Sequence, residues 1–391
     1  MSIFADQGDS RAGPGQSDQK PAEGDQSGDL GGLKRAEKDR TVSTELKLRN
    51  VTIVIEPGRT LKFEEFVAEA PPYSIALDGY VEGKTRANDD GPHVNLNHHE
   101  EVDRISTNST CMQAYNYLKA GLEETFKKNG QTTFRIYVND CDQDTCLAIW
   151  LLANHDKFVG SRTSELMEEL VKCEDKLDVF GGAFPFSTEE RILGKLAWIF
   201  EPYTDHRSVI QDMDARTMSA IIEAVCSRIT EYSKGEGKEV VPPVGYKNIN
   251  QVVDNLDENP KGWVFITSEE PYARVVLSKD YTAFVSLVGE KEGTFRYSVG
   301  KLKPKAAFPV EDLYDVLNAA EQIKGTEITE TNRWGGSDII GGSPRGTGSK
   351  LAPREIIVIL NAFLSFRETE SKVKADTSTF IKENIPSLIA A

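Results

Sequence analysis

The chain has 391 residues, 39% of them hydrophobic and 28% charged, with a formal net charge of −16. It is long enough for a large core and two domains, and its acidic balance argues against broad binding to duplex DNA, which needs a basic surface. No apolar run nears the ~18 residues of a membrane span, the N-terminus lacks the pattern of a secretory signal, and five cysteines without C-x-x-C spacing fit reduced thiols in a cytoplasm.

Residues 1–43 are rich in Gly, Asp, Gln, Ser and Lys and nearly empty of large apolar side chains. Such a segment cannot bury enough surface to offset its ordering entropy, so a disordered tail is expected. Order should begin at "TELKLRNVTIVIEPG", where Leu46 and Leu48, then Val51, Ile53 and Ile55, alternate as strands do. "YSIALDGY" reads as a strand that delivers Asp78 near its end, and "HVNLNHH" as another with the histidine pair at its C-terminal edge. A helix capped by Ser109 or Thr110 should carry Met112, Tyr115, Leu118, Leu122 and Phe126 on its apolar face and close at Gly130. "FRIYV" (134–138) is a short strand of the kind buried on both faces; it runs into an Asp cluster, and the helix "TCLAIWLLAN" follows. Strand, acidic turn and helix are the layout of an α/β domain with its site at the carboxyl ends of the strands.

A helix over about 162–177 should turn Leu166, Leu170 and Leu177 inward and bring Asp175 and Asp178 to nearly the same side. "FSTEERILGKLAWIF" opens with Ser187 and Glu190 spaced as a capping box. The helix after Asp214 runs into "YSKGEGKEVVPP", which reads as the start of a linker over 235–261. Beyond it "GWVFIT", "YARVVLS", "TAFVSLV" and "FRYSVG" read as short strands, followed by the helix "VEDLYDVLNAAEQI", a Gly-rich stretch and a last long helix. The expected fold class is therefore an α/β N-terminal domain over 44–234, with a mainly parallel sheet and flanking helices. A smaller α+β C-terminal domain should occupy 262–391.

Two clusters could do chemistry. "PHVNLNHHEEVDR" (92–104) holds three of the chain's five histidines, and "YVNDCDQDTCLAIWLL" holds Asp140, Asp142 and Asp144. Hard divalent ions want carboxylate oxygens, and Mn²⁺ also accepts imidazole nitrogen. Asp78, His93, His98, His99, Asp103, Asp140, Asp142, Asp144, Asp175 and Asp178 are more candidates than one ion needs; a bridged pair would use most of them. The Asp run is not a calcium loop, because Thr145 stands where that loop needs Gly and Leu151 where it needs Glu. Its plainer reading is a solvated turn with Asp144 as the N-cap of the next helix. His155 and His206 read as a helix end and a polar turn, and Cys141 and Cys146 do not make a zinc site, Cys146 being a core residue.

The stretch "GGSDIIGGSPRGTGSK" offers Ser343, Arg345, Thr347 and Ser349 among glycines but lacks the Gly-Lys-Ser/Thr of a Walker A loop. Glycines let backbone N–H groups approach an anion, and an arginine can grip a phosphate bidentately. The plainer reading is a flexible surface loop.

Taken together these segments resemble the DHH phosphoesterase superfamily. "NHHE" is similar to its Asp-His-His motif, with Asn97 where those enzymes carry Asp, and "NDCDQDTCLA" to its Asp-x-Asp segment. "EDKLDVFGG" is similar to the Asp-Ala-Ile-Asp-Asn-Gly stretch of the Myg-type metal-dependent hydrolases, and "GGSDIIGGSPRGTGSKL" to the C-terminal substrate-binding loop. The resemblance spans roughly residues 70–365. It departs from the family in two ways: the His pair precedes the Asp-x-Asp segment, and Asn97 replaces a bridging ligand for which Asp140 or Asp78 could compensate.

The resemblance implies a two-domain metal-dependent phosphoesterase that hydrolyses a phosphodiester or phosphoanhydride of a nucleotide or short oligonucleotide by a metal-activated water. Two divalent ions, Mn²⁺ for preference with Mg²⁺ as the alternative, would be held among Asp78, His98, His99, Asp140, Asp142, Asp144 and Asp178. His99, Asp142 and Arg345 would be catalytic, and Gly341, Gly342, Ser343, Arg345 and Gly346 would grip the substrate. The expected partners are a small phosphorylated substrate or a short nucleic-acid end, with a homodimer left open and no membrane. The competing readings are a binding or regulatory protein that kept the fold and lost catalysis, which Asn97 favours, and a fold whose metal is structural.

Overall fold

The computed structural model describes residues 43–88, 90–162, 164–187, 191–206, 213–240, 262–267, 273–329, 332–369 and 376–390. The expected tail over 1–43 lies outside them except for Ser43, as do Glu190 of the expected capping box and 241–261 of the expected linker.

The N-terminal region is built on a six-stranded sheet. Its strands are β1 (Thr44–Leu48), β2 (Val51–Ile55), β3 (Ser74–Leu77), β4 (Arg86–Asn88), β5 (His93–Leu96) and, after a small two-stranded ribbon of β6 (Lys127–Lys128) and β7 (Gln131–Thr132), β8 (Phe134–Val138). The order is β1-β2-β8-β3-β5-β4, with the four central strands parallel and both edge strands antiparallel. Ile53, Ile136, Ile75 and Val94 pair in register across the middle of the sheet and form one apolar row. That row faces a core closed by the helices α2 (Thr110–Lys119), α4 (Gln143–Ala153), α5 (Glu165–Val179), α6 (Arg191–Thr204) and α7 (Ala215–Tyr232). The opposite face, with Val54, Ala76 and Tyr137, is covered by Phe63 and Phe66 of α1 (Phe63–Glu69). Every residue of α4 from Asp144 to Ala153 is buried, as expected of a helix that is apolar all round.

Three local expectations need correction. The helix capped by Ser109 stops at Lys119, and α3 (Leu122–Thr125) restarts after Gly121, whose φ of +94° only glycine adopts readily. Leu166 is 37% exposed rather than inward, because the buried stripe of α5 is Met167, Leu170, Val171, Glu174 and Leu177, one position out of phase with it. "YARVVLS" holds a helix, α8 (Ala273–Leu277), instead of a strand. Strands β9 (Trp263–Ile266) and β10 (Ala283–Lys291) pair in parallel, so the chain between them must cross over the sheet rather than turn in a hairpin. All five residues of α8 are buried, which hides any periodicity that would have distinguished helix from strand.

The C-terminal region is a five-stranded sheet with helices. Strand β11 (Thr294–Lys301) pairs antiparallel with β10 and with β13 (Ile340–Gly342), which pairs with β12 (Gly335–Gly336). Helices α9 (Val310–Ile323), α10 (Pro353–Thr369) and α11 (Thr377–Ala390) pack against its core; α11 was not anticipated. The two regions are joined rather than set apart. Val275 of α8 belongs to the N-terminal core, and the buried Arg274 donates to the Gly181 carbonyl at 2.8 Å. The first residues of the expected linker are also docked, since the Val240 N–H donates to the Gly194 carbonyl of α6 at 3.0 Å. No helix among the described residues is long and apolar enough to cross a membrane.

Glycines of the Gly-rich stretch serve this sheet. A Cβ on Gly341 would lie 2.2 Å from the Tyr314 hydroxyl and 2.3 Å from the Gly335 carbonyl oxygen. Overpacking of that kind costs about 1–3 kcal/mol or more. Gly341→Ala is therefore expected to lower the urea midpoint of unfolding markedly, and an unchanged midpoint would return this glycine to a role in ligand approach.

Candidate metal centre

The carboxyl ends of β3, β5 and β8 converge on one acidic cluster. Asp78 follows β3 in a left-handed conformation (φ +51°), which aspartate tolerates better than most residues and which turns its carboxylate back over the strand end. Thr110 Oγ1 donates to its Oδ1 at 3.0 Å and Thr145 Oγ1 to its Oδ2 at 3.2 Å. Although burial works against ionisation, His99 and His98 hold the Asp78 carboxyl well below its usual pKa.

The histidine pair follows β5 through a turn made by Asn97. Asn97 Oδ1 accepts from the N–H groups of His98 (2.8 Å) and His99 (3.1 Å), while its Nδ2 donates to the carbonyls of Val81 and Gly83 and to Glu100. All of the hydrogen-bonding capacity of its side chain is thus spent on the turn and on the neighbouring 81–83 segment. His98 is fully buried, and its Nε2 lies 2.9 Å from Asp178 Oδ2, 3.4 Å from Asp78 Oδ1 and 3.6 Å from Asp144 Oδ2. None of the three is aligned as a hydrogen bond to that nitrogen. Burial pulls the imidazole pKa down, but Asp178 and Asp78 outweigh it and hold it well above its ordinary value.

Asp144 reaches across to the start of α2, where its two oxygens accept the N–H groups of Thr110 (2.6 Å) and Cys111 (2.8 Å). It therefore does not cap its own helix, as the plainer reading had it. Asp142 is the N-cap of α4, accepting from the Thr145 N–H at 2.8 Å. Asp178, at the end of α5, faces His98 and Arg104.

The carboxylates crowd one another. Burial and then the charges of Asp78, Asp140, Asp144 and Asp178 push the Asp142 pKa well above normal, and burial with Asp178 and Asp78 pushes Asp144 up to about 6. Burial raises Asp140 also, against an opposing charge from Arg345. Like charges packed this closely favour a cation among them, whether protons or metal. The donor set fits a hard divalent ion: Asp78, His98 and His99 form one group, and His98, Asp144 and Asp178 another, each with ligand atoms within 4.8 Å of one another.

Other sequence candidates are placed elsewhere. His93 points to the opposite face of the sheet, within 3.0 Å of the Ala70 carbonyl and edge-on to Phe66. Asp103 accepts from the Ser106 N–H as the cap of its own 3₁₀ turn, and Asp175 accepts the N–H of Ser109 ahead of α2. The Ser343 hydroxyl accepts from the Tyr297 N–H, and the Gly346 N–H donates to Asn332 Oδ1. Gly341 and Gly342 lie in the β13 pairing. Of the expected loop residues only Arg345 is linked to the cluster, through its charge on Asp140. Cys146 is buried in the core, and all five cysteines are free.

Four residues around the cluster carry no local sequence signal for a place there: Arg104, Thr145, Glu174 and, beyond its helix-capping position, Thr110. Glu174 is 2% exposed with Oε2 unpartnered, and burial followed by Asp144, Asp178 and Asp175 drives its pKa well above normal. A raised carboxyl pKa contributes stability that is full below the unfolded value of 4.5 and lost as pH rises through the folded pKa. Glu174→Gln should match wild type in melting temperature near pH 4.5 and exceed it at alkaline pH. Identical melting temperatures across the range would mean that this carboxyl ionises without cost.

No protein-family model matches the chain, and no curated protein matches it.

Proposed function

We propose that the chain is a metal-dependent phosphoesterase of the DHH type, hydrolysing a phosphodiester or phosphoanhydride of a nucleotide or short oligonucleotide. The observation that supports this best is the fully buried His98 Nε2, which stands 2.9 Å from Asp178, 3.4 Å from Asp78 and 3.6 Å from Asp144 carboxylate oxygens. Asp78, His98, Asp144 and Asp178 would hold a first ion, Mn²⁺ for preference, and Asp78 with Asp140 and Asp142 a second. Divalent ions supply a Lewis acid that lowers the pKa of water and neutralises charge on phosphate oxygens.

The remaining work falls to side chains. Asp142 has one oxygen fixed by the Thr145 N–H, which leaves the other to meet that second ion. His99, 35% exposed at the mouth of the cluster, holds the Asp78 carboxylate in place through its Nε2 at 2.8 Å. Arg345 supplies a cation beside a strongly acidic site and so favours an anionic substrate. The rival reading of a fold without catalysis drew on Asn97, whose amide is committed to internal bonds.

Metal-stripped protein assayed with bis-p-nitrophenyl phosphate should release nitrophenol only when Mn²⁺ is added. Asp178→Asn, which keeps the shape of the side chain and an oxygen for Arg104, should lose that activity. Turnover that is indifferent to metal, or intact in Asp178→Asn, would overturn the proposal.

A further inference from the structure

Arg104 is 6% exposed, an unusual setting for a guanidinium. Its position is set by a short 3₁₀ turn, Arg104–Ser106, which Asp103 caps through the Ser106 N–H at 3.0 Å. Asp103 thus faces solvent while Arg104 turns inward. Its Nη2 donates to the Asp178 carbonyl at 3.1 Å and to Asp178 Oδ2 at 3.2 Å, and its Nη1 lies 3.0 Å from His99 Nδ1.

An arginine has donors and no acceptor. His99 Nδ1 must therefore accept, which leaves the proton of a neutral imidazole on Nε2. That nitrogen lies 2.8 Å from Asp78 Oδ1, to which an Nε2–H donates. The two contacts demand the same tautomer. They also oppose metal ligation by His99: an Nε2 lone pair given to an ion would place the proton on Nδ1, donor against donor with Arg104. Metal-bound histidines usually donate their second ring N–H to a carboxylate or carbonyl, and a guanidinium cannot serve as that acceptor. His98 has no arginine hydrogen-bonded to either ring nitrogen: carboxylates surround its Nε2, and its Nδ1 has no hydrogen-bond partner.

We propose that Arg104 is a positioning residue that fixes His99 as the Nε2–H tautomer, keeping it a hydrogen-bond donor and withholding it from the metal. The consequence for turnover rests on the phosphoesterase reading; the tautomer itself does not. In one step Arg104 anchors the ligand Asp178 and sets the chemistry of the adjacent His99.

The test is long-range ¹H–¹⁵N correlation spectroscopy of the histidine rings in the full chain, with His99 assigned by its loss in His99→Asn. Wild type should show His99 as a single tautomer protonated at Nε2, and added Mg²⁺ should shift His98 while leaving that proton in place. Arg104→Ala should give a mixture of His99 tautomers, and Arg104→Lys, which retains a donor, should restore a majority of the Nε2–H form. A proton on Nδ1 in wild type, loss of the Nε2 proton on adding Mg²⁺, or an unchanged single tautomer in folded Arg104→Ala would each overturn the proposal. Since the readout needs no turnover, inactivity toward bis-p-nitrophenyl phosphate would count against the phosphoesterase reading alone. With activity present, Arg104→Ala should lower kcat about 100-fold with little change in KM, the effect of a misplaced reacting group.

Discussion

Replacing His98 by alanine is expected to abolish divalent-metal binding by the chain and to destabilise the metal-free protein by about 3–5 kcal/mol, the usual cost of stripping one partner from a buried ion pair. The imidazole is fully buried and stands among Asp78, Asp144 and Asp178, so its loss leaves three carboxylates facing one another. The pH dependence has a definite sign. The raised His98 pKa contributes stability that is full below the ordinary imidazole value of 6.5 and lost as pH rises through the folded value. The lowered Asp178 pKa contributes stability present above its unfolded 3.8 and lost as pH falls through the folded value. The gap between wild type and His98→Ala should therefore be widest between 3.8 and 6.5 and narrow on either side. Denaturant unfolding of metal-stripped protein across that range, with isothermal titration of Mn²⁺ alongside, checks both parts. Undiminished Mn²⁺ affinity in the variant would remove His98 from the ligand set.

Asn97→Asp should be nearly as damaging, although it restores the residue that the Asp-His-His pattern carries. Asn97 is fully buried, and its Nδ2 donates to two carbonyl oxygens and to the Glu100 carboxylate. An aspartate would set a carboxylate oxygen against all three acceptors, with no donor in place of the lost amide. An unpaired buried charge of this kind costs about 3–5 kcal/mol. The variant should unfold at lower urea and bind Mn²⁺ no more tightly than wild type. A stable variant with tighter Mn²⁺ binding would instead place position 97 in the metal shell, as the motif alignment has it.

The cluster was legible in the sequence because strand ends and an acid-rich turn are local features. Asp78, His98 and Asp178 come together from segments whose hydrophobic patterns marked a strand end, a second strand end and a helix. Roles set by tertiary contact were not legible. His93 belongs to the same short motif as His98, yet strand alternation sends it to the opposite face. Asp103 and Asp175 are ligand candidates in the sequence, yet Asp103 caps its own 3₁₀ turn and Asp175 accepts the Ser109 N–H, uses that depend on where the next helix begins. Arg104 went unassigned because nothing local shows that a 3₁₀ turn will bury an arginine amid a run of acids. Glycines of the 335–348 stretch suggested an anion cradle, whereas Gly341 is required by the approach of Tyr314 and Gly335. Helix α8 was misread as a strand because a short run buried on every side carries no period.

An anomalous difference map at the manganese edge, from crystals grown with Mn²⁺, would locate a divalent-metal centre at the carboxyl ends of β3, β5 and β8. The expected map has a peak coordinated by Asp78, His98, Asp144 and Asp178, with His99 outside its ligand shell. A map with no peak among those side chains would mean that the cluster holds no metal.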